Sequence, residues 1–336
     1  MLYYIETEER MAGGHGGTVY TLSRPDVGSL VELWPAHGFN CLHWRVNRQD
    51  LLYSAADWDA NPLPTRSGIP ILFPFPNRIR DGVFIQREST YRLPKNDSAH
   101  ANAIHGFAPR NPWRVFGYGA DLEGAWVHGD FQISTDAPEA EGLWPGDGLL
   151  SVIYRLAPNR MRIELRVRNM GEEPFPFGVG LHPYFQLPRK DADISQYVLH
   201  APARSIWKLA QNLPTGEKWP LPDELNWNRP RAITGTQLDT LYGDLGAIRE
   251  DVGGLLLRAT VGHSERPGRL ELWTTADFRE LLLFTPPHRK AVCIEPYTCV
   301  TDAANLQARG IDAGWRELPV GGQWSGVVEC RWNPAE

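Results

Sequence analysis

Apolar and polar residues alternate with a period of two in many short segments of this chain. Residues 161–169, Met-Arg-Ile-Glu-Leu-Arg-Val-Arg-Asn, alternate strictly and end at Asn-Met-Gly. Because successive side chains of a strand point to opposite faces, this pattern predicts an antiparallel strand with one wet face. We expect further strands and a connecting turn in the segments 148–156, 254–261, 269–274, 281–284 and 326–331, with the turn at 266–268.

One short apolar run carries a carboxylate directly into a proline. Residues 291–294, Ala-Val-Cys-Ile, are typical of a buried strand and precede Glu295-Pro296. Proline cannot donate to a sheet ladder, so we expect the strand to stop at Glu295. A carboxylate held at the end of a rigid strand is well placed to act as a base. The alternative is an ordinary solvated glutamate.

Helical periodicity is scarce, with at most short helical turns near 303–307 and 239–245. Many strands at short spacing favour an all-β sandwich or barrel. No repeat, low-complexity tract or linker divides the chain. We therefore predict that residues 1–336 form one large β domain.

Composition narrows the class of protein and its compartment. Charged residues make up 22% and hydrophobic residues 42%, as in ordinary globular proteins, and a net charge of −6 argues against nucleic acid or an anionic membrane as partner. We find no membrane-spanning run and no signal peptide at the start, so we expect a cytoplasmic protein. The four cysteines form no CxxC pair, which predicts free thiols; Cys293 and Cys299, near Glu295, are interpreted as packing residues.

A proline-rich segment, residues 68–82, carries the first candidate site residues. Its prolines should hold the chain extended, which would place Arg78 and Arg80 on one side and Asn77 on the other. A guanidinium offers a planar fork of donors suited to hydroxyls, carboxylates or phosphate. Two surface arginines on a loop are the alternative.

Two histidines stand in motifs of their own. His105-Gly106 suggests a tight turn where backbone approaches a ligand closely, and His182-Pro183 ends an apolar run as Glu295-Pro296 does. Either histidine alone is more often structural. Together with Glu295, they supply a possible acid and base at one edge of a β domain.

The chain offers an acid–base set without a nucleophile, a metal motif or a phosphate loop: GxSxG, HExxH and Gly-rich nucleotide loops are missing from the sequence. Interconversion of sugar anomers needs only such a set. A base removes the C1 hydroxyl proton while an acid protonates the ring oxygen, and the ring opens, rotates about C1–C2 and recloses. We therefore predict neither cofactor nor metal.

These motifs, in this order, resemble the aldose 1-epimerase (galactose mutarotase-like) family from about residue 30 to residue 332. The matching features are the loop 68–79, His105-Gly106-Phe107, His182-Pro183-Tyr184-Phe185, the segment 238–242 and Glu295-Pro296 with its Thr-Asp-Ala tail at 301–303. The resemblance implies a large antiparallel β-sandwich, the galactose mutarotase-like supersandwich, with a small-molecule sugar bound in a cleft. We expect a monomer or homodimer.

The resemblance also implies a role for each matched residue. Glu295 would be the general base at the anomeric hydroxyl, His182 the general acid at the ring oxygen, and His105 a residue that binds or polarises the sugar. The substrate-binding residues that it implies are Arg78 and Asp239, on different sides of the ring, together with Asn77 and Tyr184.

Two positions depart from the best-known galactose mutarotases. Phe107 stands where a second glycine usually follows His-Gly, and Leu181 stands where asparagine commonly precedes the histidine. The chain also resembles a sister group that acts on hexose 6-phosphates, for which Arg78, Arg80 and Arg110 could form a cationic pocket. Asp239 favours free hydroxyls instead.

Two other classes of function stay open at this point. A non-catalytic sugar-binding protein could share the fold, although a binder has no need of an acid–base pair. A glycoside hydrolase could use Glu295 with Asp239 or Asp302, which would have to flank a glycosidic bond.

Overall fold

The computed structural model describes residues 2–187 and 194–334. Numbered along the chain, the strands of the first part are β1 Tyr4–Ala12, β2 His15–Arg24, β3 Ser29–Trp34, β4 Asn40–Val46, β5 Gln49–Asp50, β6 Ile71–Leu72, β7 Arg78–Ile79, β8 Val83–Gln86, β9 Ser89–Arg92, β10 Ala103–Ile104, β11 Arg114–Ala120, β12 Ala125–Gln132, β13 Gly148–Ala157 and β14 Arg160–Asn169.

The strands of the second part are β15 Phe175–Phe177, β16 Gly180–Leu181, β17 Tyr184–Phe185, β18 Tyr197–His200, β19 Ala203–Ala210, β20 Leu213–Pro220, β21 Arg231–Ala232, β22 Asp239–Leu245, β23 Leu256–His263, β24 Arg266–Thr274, β25 Glu280–Phe284, β26 Val292–Tyr297, β27 Arg316–Leu318 and β28 Gln323–Asn333. The α-helices of the described residues are short, α1 Ile133–Asp136 and α2 Ala303–Ala308.

Single 3₁₀ turns join several of these strands. They span Pro25–Val27, Pro35–His37, Arg80–Gly82, Ala108–Arg110, Pro138–Ala140, Ile194–Gln196 and Asp223–Leu225. In four of them proline is the first or second residue, a position where its missing N–H costs no intrahelical bond.

Two large antiparallel sheets dominate the fold. One has nine strands in the order β11-β12-β13-β14-β28-β24-β23-β18-β21, and the other runs β20-β19-β22-β25-β26-β16-β6, with β17 also paired to β26. Strands β1 to β5 form a further antiparallel sheet. The prediction of an all-β, antiparallel sandwich is confirmed.

The hydrophobic core is formed by the inward faces of both large sheets. Period-two alternation along the strands places every second side chain in it. The largest apolar cluster joins residues of the nine-stranded sheet to residues of the other one, including Leu150, Val152, Ile163, Leu165, Val328, Leu281, Leu283, Val292 and Ile294. The remaining side chains of β25 and β26 therefore belong to the opposite face of the eight-stranded sheet.

Most strand predictions are confirmed, and one turn is shifted. The predicted segments correspond to β13, β14, β23, β24, β25, β26 and β28, and β14 alternates between buried and more exposed residues as expected. The turn expected at 266–268 lies earlier, at Ser264 and Glu265, because His263 pairs with Arg266 across the hairpin. A helix at Ala303–Ala308 matches the expected helical turn.

The expectation of a helical turn at 239–245 is wrong, since this segment is strand β22. It pairs with β19 on one side and β25 on the other, and Leu241 and Tyr242 are buried. Gly243 disfavours a helix, and two hydrogen-bonded neighbours outweigh weak local propensity.

The strand that carries Glu295 does not stop there either. It continues through Pro296 to Tyr297, and Pro296 lies opposite Leu281. On its other side, β26 pairs at Tyr297 and again at Cys293, leaving an interval opposite Pro296 where no pairing is formed. The missing N–H of proline is tolerated in that interval.

Among the described residues, no helix has both the length and the apolar character that crossing a membrane requires.

The inward face of β25 predicts a large stability effect. Leu283 is fully buried in the core, whereas Leu122 is 98% exposed. We expect Leu283→Ala to lower the free energy of unfolding by about 2–5 kcal/mol, because it removes buried methyl groups and leaves a cavity. Leu122→Ala, the same chemical change at the surface, should have an effect within about 0.5 kcal/mol. Denaturant unfolding of both variants tests this, and equal midpoints would contradict the assignment of the core face.

Candidate active site

A cross-strand pair on the outer face of the eight-stranded sheet forms the centre of the candidate site. Gly180 pairs with Tyr297, and Tyr184 pairs with Cys293, in one continuous antiparallel register. Residue 182 therefore lies opposite residue 295, and both side chains point to the same face. His182 Nε2 is 3.3 Å from Glu295 Oε1.

The carboxyl of Glu295 is held in a buried position. Glu295 is only 1% exposed, and the Tyr297 hydroxyl donates a hydrogen bond to its Oε2. Burial raises the pKa of Glu295 well above its usual range; the bond from Tyr297 offsets part of this, Asp239 adds to it and Arg78 opposes it. A carboxylate with a raised pKa is a stronger base when it is ionised.

The imidazole of His182 lies between two other rings. It stacks on Tyr184 with centroids 4.7 Å apart and meets the ring of His105 at 5.7 Å and 70°. Its Nδ1 is buried without a hydrogen-bond partner among the described residues. Burial lowers the pKa of His182 to about 3, so the ring is a strong acid once protonated.

His105 is fixed by an unusual backbone. His105 and Gly106 have φ values of 67° and 69°, and a Cβ on Gly106 would lie 2.2 Å from the carbonyl oxygen of Phe73. The close backbone approach predicted at this glycine is found against the carbonyl of Phe73, and the contact with a ligand at this turn stays a prediction.

The same backbone sets the tautomer of His105. Its Nδ1 accepts a hydrogen bond from the Asn77 N–H at 3.2 Å, which leaves Nε2 as the donor of the neutral ring. Burial, with smaller contributions from His182, Arg78 and Arg110, lowers the pKa of His105, and this favours that neutral form.

Arg78 is oriented by a buried carboxylate. Its Nε is 3.5 Å from Asp97 Oδ2, and its NH1 donates to Asn77 Oδ1 at 3.2 Å. Asp97 is itself held by N–H groups of Ala101 and Asn102. These contacts leave further guanidinium N–H groups for a ligand.

Arg80 is paired with a different carboxylate from Arg78, that of Asp302. Its Nε is 3.5 Å from Asp302, which also accepts hydrogen bonds from the Arg80 backbone N–H and from Asn305.

The prediction that Asn77 points away from Arg78 is wrong. The φ of Asn77 is 55°, which breaks the extended geometry and brings its side-chain amide to the Arg78 guanidinium.

Asp239 opens strand β22 at the edge of this site. Asp239 is exposed at the surface, but desolvation by the surrounding residues raises the pKa of its carboxyl and Arg78 opposes that shift. Asp239 in turn raises the pKa of Glu295. The structure thus brings together all the residues that the sequence singled out for catalysis and binding: Asn77, Arg78, His105, His182, Tyr184, Asp239 and Glu295.

Sequence reasoning missed two residues of this site. Tyr297 holds Glu295, and period-two alternation from Glu295 was the signal that could have found it. Asp97 orients Arg78 from a loop, and no local pattern marks it. Among the described residues, one group of side chains has the chemistry and spacing to hold a metal ion: His182, Cys293 and Glu295.

The antiparallel β-sandwich of this chain has the galactose mutarotase-like fold. The sequence profile described as Aldose 1-epimerase matches residues 20–331. The chain therefore belongs to the aldose 1-epimerase family.

Individual relatives agree with this family. The chain is 24% identical to the uncharacterized protein YihR of Escherichia coli over 244 residues, 72% of either protein. It superposes on a galactose mutarotase-like protein from Clostridium acetobutylicum with a TM-score of 0.84 and 24% identity, covering 98% of this chain and 99% of the other. For the galactose 1-epimerase of Lactobacillus acidophilus the values are 0.78 and 16%, with 99% of both chains covered. These superpositions establish the fold.

The buried carboxyl predicts a pH-dependent cost in stability. Because the folded state keeps a proton on Glu295 that the unfolded chain loses above its ordinary pKa of about 4.3, stability from this group falls as the pH rises. Glu295→Gln should therefore be more stable than the parent at about pH 7, by on the order of 1 kcal/mol. The gain should vanish near about pH 4.

Denaturant midpoints of both proteins, measured from acid to neutral pH, test this prediction. Glu164→Gln is a matched control, since Glu164 is a partly exposed strand residue paired with Arg162. A loss of stability in Glu295→Gln at neutral pH would mean that an ion pair with His182 stabilises the empty site.

Proposed function

We propose that the protein is a cofactor-independent aldose 1-epimerase that interconverts the α and β anomers of a free aldohexose. The observation that carries this proposal is the buried Glu295–His182 pair, 3.3 Å apart. One group can accept a proton from the sugar while the other supplies one, over a distance that suits the C1 hydroxyl and the ring oxygen of one pyranose.

In the proposed mechanism, Glu295 removes the proton of the anomeric hydroxyl as His182 protonates the ring oxygen. The C1–O5 bond breaks, rotation about C1–C2 exposes the other face of the aldehyde, and both proton transfers reverse. Burial of the two groups favours their neutral forms in the empty site. A sugar hydroxyl that donates to Glu295 favours the carboxylate, and the proton then resides on His182.

The other site residues would bind and orient the sugar. His105, with Nε2 as a donor, and Arg78, held by Asp97, can each donate to a sugar oxygen. Asp239 can accept from a hydroxyl, and Tyr184 supports the ring of His182 by stacking. Asn77 contributes through its contacts with His105 and Arg78.

The state of the arginines favours a free sugar over a hexose 6-phosphate. Arg78 and Arg80 already have carboxylate partners in Asp97 and Asp302. Arg110, which lines a cavity with His37, has no ion-pair partner in the described part of the chain. Among these three arginines, Arg110 is thus the one whose charge is not already paired with a carboxylate.

The competing classes of function have less support. A sugar-binding protein gains nothing from burying a carboxylate next to an imidazole, which costs stability. For a glycoside hydrolase, Asp302 already binds Arg80 and Asn305, so of the two carboxylates considered as partners of Glu295 only Asp239 is left.

The proposal also includes a compartment and an oligomeric state. Four buried free thiols suit a reducing compartment, which supports a cytoplasmic location. We propose a monomer or homodimer.

Loss of either member of the pair should slow catalysis strongly. We expect Glu295→Gln and His182→Asn each to slow the epimerisation of α-D-glucose or α-D-galactose by about 10²- to 10⁴-fold, because each removes one proton-transfer group. Polarimetry of freshly dissolved sugar measures the rate above the spontaneous one. His263→Asn is the matched control, because His263 lies on the other large sheet and is bonded to Gln196. An unchanged rate in Glu295→Gln would remove the assigned mechanism.

A substitution of Arg110 distinguishes a free aldohexose substrate from a hexose 6-phosphate. If the substrate is a free aldohexose, Arg110→Gln should leave its turnover within about three-fold, since no charged contact is lost. If the substrate is a 6-phosphate, the same variant should lose about 10- to 100-fold in kcat/KM, as expected for a charge-assisted hydrogen bond. Assays of glucose and glucose 6-phosphate with both proteins decide, with Arg114→Gln, an exposed residue paired to Asp136, as the control.

A further inference from the structure

A buried cysteine lies beside the proposed acid–base pair. Cys293 is two residues before Glu295 on β26, so both side chains project from the same face of the sheet. Cys293 also pairs across the strands with Tyr184, whose ring stacks on His182. Cys293 is fully buried, and its thiol is free. None of the steps proposed for the sugar uses it.

The three side chains lie close enough together to offer ligand atoms to one metal ion. One ligand atom each from His182, Cys293 and Glu295 can be chosen so that all lie within 4.8 Å of one another. His182 Nε2 and Glu295 Oε1 are 3.3 Å apart, which is about the separation of two nitrogen or oxygen ligands on tetrahedral zinc with bonds of about 2.0–2.1 Å.

One polar atom of this group, Glu295 Oε1, lacks a hydrogen-bond partner in the described part of the chain. It belongs to a side chain that is more than nine-tenths inaccessible, and it lies 3.3 Å from His182 Nε2. Buried polar atoms in native structures usually have a partner, so an unpaired carboxyl oxygen beside an imidazole nitrogen and a thiol points to a ligand. The other carboxyl oxygen is held by Tyr297, an outer-shell contact of the kind that orients metal ligands.

We propose that His182, Cys293 and Glu295 form an inhibitory site for a thiophilic divalent cation such as Zn²⁺. A thiolate, an imidazole and a carboxylate are a set that zinc accepts, with a fourth position left open. Mg²⁺ and Ca²⁺ prefer oxygen ligands and should bind poorly. The ion inhibits because both proton-transfer groups become its ligands and no longer exchange protons with a sugar; only this inhibition rests on the proposed function.

Charge and protons balance in the bound site. Zn²⁺ replaces the thiol proton of Cys293 and the proton shared by Glu295 and His182, so two protons pass to solvent. The thiolate and the carboxylate then cancel the two charges of the ion, and the imidazole stays neutral. A site without net charge suits the buried surroundings.

Binding can be measured without a sugar. The full-length protein, freed of metal with a chelator, is titrated with Co²⁺, whose bond to a thiolate gives a charge-transfer absorption band. We expect this band in the parent protein, its loss in Cys293→Ala, and its retention in Cys299→Ala. Cys299 is equally buried but belongs to a different apolar cluster from Cys293, so it is the matched control. Absence of the band in the parent, or an equal band in Cys293→Ala, overturns the proposal.

Inhibition is then measured by polarimetry with Zn²⁺, relative to the metal-free rate of each variant. The concentration for half-inhibition should rise by at least about ten-fold in Cys293→Ala and stay unchanged in Cys299→Ala. Equal sensitivity of all three proteins overturns the inhibitory site. A cobalt band that depends on Cys293, in a protein that epimerises neither free nor phosphorylated sugars, supports the metal site and refutes the proposed function.

Discussion

Burial of a carboxyl against an imidazole inside a β-sheet is the constraint on which the rest of this structure depends. An ionised carboxylate without compensation is costly in such surroundings, and the cost can reach several kcal/mol. The fold compensates by the hydroxyl of Tyr297, by the positive charge of Arg78 and by a core that holds both strands in register. The site gains precision from this arrangement, because its two central groups lie on strands rather than on loops.

Two prolines mark the place where the sheet opens to form the site. Pro183 follows His182 in the interval between β16 and β17, and Pro296 follows Glu295 in β26. Neither residue can donate to a ladder, so the two strands meet at a gap in their pairing without leaving unpaired N–H groups at these positions. His182 and Glu295 therefore face each other at a gap in strand pairing, and each is followed by the proline that suits this gap.

Period-two alternation predicted most of the long strands and the all-β class, because alternation is a local consequence of burying one face. The candidate site was recognised from five separated motifs, and the fold brings their residues together. The strand Asp239–Leu245 could not be predicted, since its state is set by β19 and β25, which are distant in sequence. Asp97 was missed for the same reason: its contact with Arg78 exists only in the folded chain.

Adjacent residues of β26 serve opposite faces of one sheet, Ile294 in the hydrophobic core and Glu295 in the polar site. A shift of one position in strand pairing would exchange the two, exposing an aliphatic side chain to the sugar and driving a carboxyl into the core. The strand register that buries Ile294 is thus the same register that places Glu295 in the site. An inserted or deleted residue in this strand would therefore disturb the hydrophobic core and the polar site together.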